Sequence, residues 1–81
     1  MRTTDQVLHQ LVASLGVAIR KRRRAMNLSQ EALAERADFY RTYVSLLERG
    51  ERNPSFTNLC RTAAALDTTP SELLKGISYA P

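Results

Sequence analysis

Two short apolar patterns, out of phase with each other, lie between residues 29 and 50 of this chain. Each repeats at helical spacing over about two turns, and a turn of about four residues separates them. The small side chain of Ala34 in the first pattern would let Val44 and Leu47 of the second pack closely against it. These features predict two short helices over residues 30–49 that cross steeply and are joined by a tight turn.

The segment before this pair has an apolar pattern of helical period over residues 8–19. We expect Thr4 or Asp5 to cap this first helix, because a side-chain oxygen there can accept a hydrogen bond from a free N–H of the first turn. Gly16 interrupts the pattern. Residues 1–15 therefore either join the first helix or form a separate arm.

Two further helices are expected after the central pair. Phe56 and Leu59 belong to the expected buried face of the fourth helix. Thr69 and Pro70 begin the fifth, because a capping threonine followed by proline suits the start of a helix. No segment alternates as a strand would. The sequence therefore predicts an all-α fold, a compact five-helix domain that spans residues 1–81.

The chain is basic, with twelve lysines and arginines, eight aspartates and glutamates, and a net charge of +4. Five basic residues are consecutive, from Arg20 to Arg24. A basic domain of this size suggests a polyanionic partner. Composition alone does not distinguish DNA, RNA and an acidic membrane surface, and a solvated helix face would account for the run if it stood alone.

Few residues are suited to catalysis or metal binding. One histidine, His9, and one cysteine, Cys60, are too few for a metal site, and the sequence has no glycine-rich phosphate loop. We expect no catalytic residue, no metal and no cofactor, and therefore no enzyme. A lone cysteine also favours a reducing compartment, hence the cytoplasm. No apolar run approaches the length of a membrane span, so no membrane partner is expected.

The central pair resembles a known family. The similarity lies in two strings, LSQEALA over residues 28–34 and YVSLLERG over residues 43–50. They resemble the lambdoid repressor/Cro-like helix-turn-helix family, also called the xenobiotic-response-element family. Within it, ERGERNPS over residues 48–55 looks most like the controller proteins of restriction–modification systems. The resemblance implies a sequence-specific DNA-binding transcriptional regulator with its helix-turn-helix at about residues 30–49.

The resemblance also implies how DNA would be contacted. The helix after the turn would be the recognition helix, and its outward side chains would read base edges; these are Arg41, Thr42, Ser45 and Leu46. Other residues would contact phosphates; these are Gln30 and Tyr43, with Arg49 and Arg52, which are well placed at the loop after the helix. Two interpretations of Leu46 stay open, contact with a thymine methyl group or partial burial against the fourth helix. Arg23 and Glu48 match an internal ion pair of the family.

This sequence departs from the family pattern at three positions. Asp38 stands in the turn, where glycine or asparagine is usual. Tyr40 stands where a capping serine, threonine or aspartate is common. Arg22 occupies a position of the first helix that is usually apolar. These departures concern the turn and the packing of the first helix, and they leave the motif itself intact.

One recognition helix reads only a few base pairs, so we expect a homodimer that binds a palindromic operator. Adjacent residues on a helix point about 100° apart, so Leu73 and Leu74 cannot both face one core. We expect the dimer contact at Leu73, Leu74 and Ile77. The N-terminal apolar stripe is the alternative surface and comprises Val7, Leu8 and Leu11. The expected partners are double-stranded DNA and a second copy, with no small-molecule effector evident.

Other functions remain open at this point. An antitoxin or an adaptor would use the same fold to hold a protein partner, and a phage-type repressor would bind DNA in another genetic setting. The genes beside this one would distinguish the three: a methyltransferase and endonuclease pair, a toxin, or a prophage.

Overall fold

The computed structural model describes residues 2–80. Five α-helices and no strand are found in these residues; the helices are α1 (Thr4–Ala25), α2 (Gln30–Ala37), α3 (Arg41–Glu48), α4 (Phe56–Ala65) and α5 (Pro70–Leu73). The expected all-α, five-helix fold is confirmed. None of the described helices combines the length and the apolar character that a membrane crossing requires.

The N-terminal segment belongs to one continuous helix, so residues 4–15 are part of α1 and not a separate arm. The cap is Thr3, and the expectation of Thr4 or Asp5 was wrong. The Thr3 hydroxyl accepts from the N–H of Gln6 at 3.2 Å, and the Gln6 side chain accepts from the N–H of Thr3 at 2.8 Å. This reciprocal pair of hydrogen bonds satisfies two main-chain N–H groups. A cap at Thr4 or Asp5 would not do so here.

The turn between α2 and α3 begins with a left-handed residue. The helix α2 is capped by Ser29 and ends at Asp38, which has φ 58° and ψ 48°. Tyr40 precedes α3 and gives it no side-chain cap. Aspartate adopts left-handed geometry more readily than most residues, but at some cost in free energy. The Tyr40 side chain thus does not cap α3, and the fully exposed Asp38 carboxylate approaches Arg61 of α4 at 4.0 Å.

The core lies where α1, α2, α3 and α4 meet, and α5 covers one end of it. Its most fully buried large side chains are those of Ile19, Leu33, Val44, Leu47 and Leu66. The assignment of Phe56 to the buried face of α4 was wrong, because its side chain is 77% exposed. It is the first residue of α4, on a turn that the other described helices leave uncovered.

Gly16 lies where α1 crosses the end of α3. A Cβ atom placed on it would lie 2.5 Å from the carbonyl oxygen of Leu47 and 2.7 Å from that of Glu48. Both distances are shorter than van der Waals contact. The glycine therefore does not interrupt α1; it allows α1 and α3 to approach closely.

Arg22 reaches the end of α4 from the side of α1. Its Nε donates to the carbonyl oxygen of Leu66 at 2.9 Å, and its Nη2 donates to that of Asp67 at 3.0 Å. Carbonyl groups at the C-terminal end of a helix lack partners within it and attract cations. The arginine at this usually apolar position therefore ties α1 to the end of α4.

Candidate nucleic-acid interface

The helix α3 has one buried side and one side that faces solvent. Val44 and Leu47 are 0% and 2% exposed, whereas Arg41 and Thr42 in the first turn are both exposed, and Ser45 is half-buried. The apolar side chains fix the helix to the core while the polar ones stay free. A helix presented in this way fits the major groove of B-DNA, which is about 12 Å wide.

Leu46 lies between these two sides of α3 and is half-buried. Its carbonyl oxygen accepts a hydrogen bond from the N–H of Glu51 at 2.9 Å, which holds the start of the following loop against the helix. Part of the Leu46 side chain remains available to a ligand.

Two of the residues expected to contact phosphates already make hydrogen bonds within the chain. The amide nitrogen of Gln30 donates to Oε1 of Glu48 at 3.2 Å, and the Tyr43 hydroxyl accepts from Nδ2 of Asn58 at 3.0 Å. Each keeps a hydrogen to give, because an amide nitrogen carries two and the phenol still has its own. Both groups can therefore donate to a phosphate while keeping their internal bonds.

The other two candidates are exposed arginines after α3. Arg49 pairs with Glu51, with Nε and Oε2 at 3.2 Å and both side chains more than half exposed. Arg52 is exposed in the loop that leads to α4. A surface ion pair of this kind contributes little free energy, so Glu51 does not strongly hold Arg49 away from another anion.

The structure brings Arg23 and Glu48 together in a buried pair with two hydrogen bonds. The distances are 2.6 Å from Nε to Oε2 and 2.9 Å from Nη2 to Oε1, and the two side chains are 10% and 2% exposed. The third nitrogen, Nη1, donates to the carbonyl oxygen of Leu28 at 2.7 Å. Hydrogen bonding to Glu48 raises the pKa of the Arg23 guanidinium above its ordinary value, against the opposing effect of burial.

Arg61 on α4 is a residue that the sequence did not single out. Its Nη2 donates to the carbonyl oxygens of Ala37 at 2.8 Å and Asp38 at 2.7 Å, at the end of α2. Its guanidinium carbon lies 4.4 Å from the centre of the Phe39 ring, within the range of a cation–π contact. These partners lie more than twenty residues away along the chain, and no local pattern in a single sequence signals such a contact.

Further contacts continue from Arg61 onto the recognition helix. The Phe39 ring meets the Tyr43 ring edge-on, with centroids 4.8 Å apart. Asn58, one turn before Arg61 on α4, donates to the Tyr43 hydroxyl at 3.0 Å and accepts from Arg61 at 3.4 Å. Phe39, Tyr43, Asn58 and Arg61 thus form one connected set of side chains. It connects α4 to both ends of the turn between α2 and α3.

The two surfaces expected for a dimer form one apolar groove. Leu8 from α1 and Leu74 from the C-terminal segment are 47% and 37% exposed, and both line it. The remaining apolar lining residues are Leu11, Val12, Leu15, Pro54, Leu59 and Ile77. Leu73 and Val7 are 4% and 2% exposed, so the fold of one chain already buries these two residues of the expected surfaces. Of the C-terminal residues expected at the dimer contact, Leu74 and Ile77 remain accessible.

Comparison with known proteins agrees with this geometry. Residues 19–73 match the helix-turn-helix family. Control protein C.BamHI of Bacillus amyloliquefaciens is 48% identical over 48 residues, which cover 59% of this chain and 59% of that protein. The match thus spans less than two thirds of C.BamHI. Control protein C.MunI of a Mycoplasma species is 45% identical over 56 residues, 69% of this chain and 76% of that protein.

Solved structures give the same result. The restriction-modification controller protein C.AhdI of Aeromonas hydrophila superposes with a TM-score of 0.75 at 44% identity, over 76% of this chain and 94% of that one. The DNA-binding domain of the P22 c2 repressor superposes with a TM-score of 0.74 at 34% identity, over 83% and 90%. The expected similarity to restriction–modification controller proteins is confirmed, and the chain belongs to the helix-turn-helix family.

Proposed function

We propose that this chain is a sequence-specific DNA-binding transcription regulator of the restriction–modification control type. The observation that carries the proposal is the exposed first turn of α3, where Arg41 and Thr42 face solvent on a helix anchored by Val44 and Leu47. The related control proteins support it. The proposed activity is DNA binding and not catalysis. A DNA target accords with the cytoplasmic location expected from the sequence.

The proposed base contacts lie on the exposed side of α3. The Arg41 guanidinium has the fork geometry that binds O6 and N7 of guanine with two hydrogen bonds. Thr42 and Ser45 carry hydroxyl groups that can donate to or accept from base edges. The accessible part of Leu46 suits a thymine methyl group.

The proposed phosphate contacts surround α3. Gln30 at the start of α2 and Tyr43 on α3 would each donate one hydrogen bond, and Arg49 and Arg52 would add positive charge beside the groove. Contacts of this kind fix the position of a protein on the duplex and carry no direct sequence information.

We further propose that the apolar groove joins two copies of the chain. A single helix reads only a few base pairs, whereas a twofold dimer reads two half-sites about 10 bp apart. The exposed leucines Leu8 and Leu74 are the accessible centre of the surface, with Ile77 beside them. The same patch would serve both subunits around a twofold axis.

The proposal is tested by selecting a duplex from a random pool with the wild-type protein and comparing it with a shuffled duplex. Arg41→Ala is expected to lose about 1–3 kcal/mol on the selected duplex and to relax base choice at one position per half-site. Arg52→Ala is expected to weaken both duplexes similarly, and wild-type binding to fall steeply with salt because counterions are released. Binding that does not change with salt would rule out the proposed function.

A further inference from the structure

We infer that Arg61 is a positioning residue of the recognition helix, which it orients from α4 by holding the turn between α2 and α3. The inference rests on the proposed function for its DNA readout. Its structural part, that Arg61 restrains the turn, can be measured without DNA.

The N–H groups of Phe39 and Asp38 bond to the carbonyl oxygens of Ala34 and Glu35, at 2.8 and 3.3 Å, but the turn has neither a glycine nor a side-chain cap. Asp38 is left-handed, with φ 58°, where glycine would carry no steric penalty. Tyr40 supplies no side-chain cap to α3. Contacts from elsewhere in the fold therefore contribute to the direction in which α3 leaves the turn, beside the core packing of Val44 and Leu47.

Arg61 makes these contacts with the first half of the turn. One terminal nitrogen donates to the carbonyl oxygens of both Ala37 and Asp38, at 2.8 and 2.7 Å. Hydrogen bonds from a charged donor are stronger than neutral ones, and a cation is favourable at the C-terminal end of a helix. The two carbonyl groups belong to the peptides before and after the left-handed Asp38, so the bonds restrain the backbone of that residue on both sides.

The same side chain also reaches the second half of the turn. Its guanidinium lies against the Phe39 ring, which packs on the Tyr43 ring, and Asn58 holds the Tyr43 hydroxyl. Tyr43 is in the first turn of α3, two residues after Arg41. Movement of α4 or loss of Arg61 would therefore tilt the part of α3 that carries the proposed base contacts.

The test compares Arg61→Met with Arg36→Met. Both variants remove one charge from a similar environment, since the two side chains are 41% and 40% exposed. The Arg36 guanidinium meets the exposed Asp67 carboxylate at 3.3 Å and makes no other hydrogen bond or ion pair within residues 2–80, so it is a matched control for charge. Arg61→Lys is the conservative variant, which keeps the charge and a donor but loses the planar fork.

The first readout is amide hydrogen exchange of the free protein. We expect exchange over residues 39–44 to accelerate about tenfold in Arg61→Met, from the loss of charged hydrogen bonds and the cation–π contact. Residues 15–23 of α1 serve as the internal reference, because global unfolding would accelerate them equally. We expect no local change in Arg36→Met and an intermediate one in Arg61→Lys. Unchanged exchange over residues 39–44 in Arg61→Met would overturn the inference.

The second readout is the ratio of affinities for the selected and the shuffled duplex. We expect this ratio to fall about tenfold in Arg61→Met and to stay unchanged in Arg36→Met, with partial recovery in Arg61→Lys. Equal losses on both duplexes in the two methionine variants would show that Arg61 acts by charge alone and would overturn the positioning role. A wild-type protein that selects no duplex would instead remove the proposed function, and hydrogen exchange would still decide whether Arg61 restrains the turn.

Discussion

Arg22, Arg23 and Arg61 each donate to a main-chain carbonyl at or just after the end of a helix. Arg22 reaches the end of α4, Arg61 the end of α2, and Arg23 the carbonyl of Leu28 after α1. The last carbonyls of a helix have no partner within it, and the planar guanidinium can serve several acceptors at once. These three arginines therefore connect segments of the fold. Part of their hydrogen-bonding capacity is used within the chain before any ligand binds.

The buried pair gives a prediction at this scale. Arg23→Ala is expected to lower the free energy of unfolding by about 3 kcal/mol, because it leaves the Glu48 carboxylate buried without its partner. Arg20→Ala, an exposed arginine one turn earlier on α1, is the matched control and should change stability by no more than about 0.5 kcal/mol. Urea denaturation followed by circular dichroism measures both. Equal stability of the two variants would show that the pair contributes nothing measurable.

The pH dependence of this contribution follows from the direction of the Arg23 pKa, which is raised in the folded chain. A cation whose pKa is raised on folding contributes its full stabilisation below the pKa of the unfolded state. That stabilisation is lost only as the pH rises through the higher folded value. For arginine both values are strongly alkaline, so proton release from Arg23 should not change stability near neutral pH.

At the scale of helices, the sequence predicts most where the signals are local. Thr69 caps α5 and Pro70 is its first residue, as the sequence predicts, because a cap acts within one turn of chain. Phe56 was misassigned because helical spacing shows which side of a helix is apolar. It does not show which parts of that side are covered by the rest of the fold. The contacts of Arg61 were missed because they join distant segments. The fold was thus more predictable from the sequence than the long-range contacts that hold the candidate site in place.

The crossing of α1 and α3 carries the second prediction. Gly16→Ala would ordinarily stabilise a helix by about 1 kcal/mol. Here the added methyl would meet the carbonyl oxygens of Leu47 and Glu48, so we expect a net loss of about 1–3 kcal/mol as α1 and α3 move apart.

The control is Val17→Ala, the next residue of α1, which is 64% exposed and should cost or gain little. Thermal melting of the two variants gives the comparison. A Gly16→Ala protein as stable as the wild type would show that the two helices can separate without loss of packing.

At the scale of the whole molecule, the apolar groove gives a prediction about assembly. We expect the wild-type chain to sediment as a dimer at micromolar concentration and Leu74→Glu to sediment as a monomer with unchanged helical content. A buried charge without a partner is unfavourable in an apolar contact. Leu73 is unsuitable for this test, because a charge there would disrupt the core of the single chain.

Val17→Glu is the matched control, since this residue is exposed on α1 and lies outside the lining of the groove. It should remain dimeric. Dimers of Leu74→Glu with the wild-type dissociation constant would move the contact between copies to another surface.

The groove also has a consequence for how the protein is made. Its walls come from residues 8–15 near one end of the described chain and residues 74 and 77 near the other, with residues 53–59 between them. A ribosome releases the first of these long before the last, so the apolar face of α1 stays uncovered on the nascent chain. The surface proposed for the second copy is completed only when residue 77 has emerged. Pairing through this surface therefore requires residue 77 to have emerged, and a product truncated before that residue would lack part of the surface needed to enter a mixed dimer.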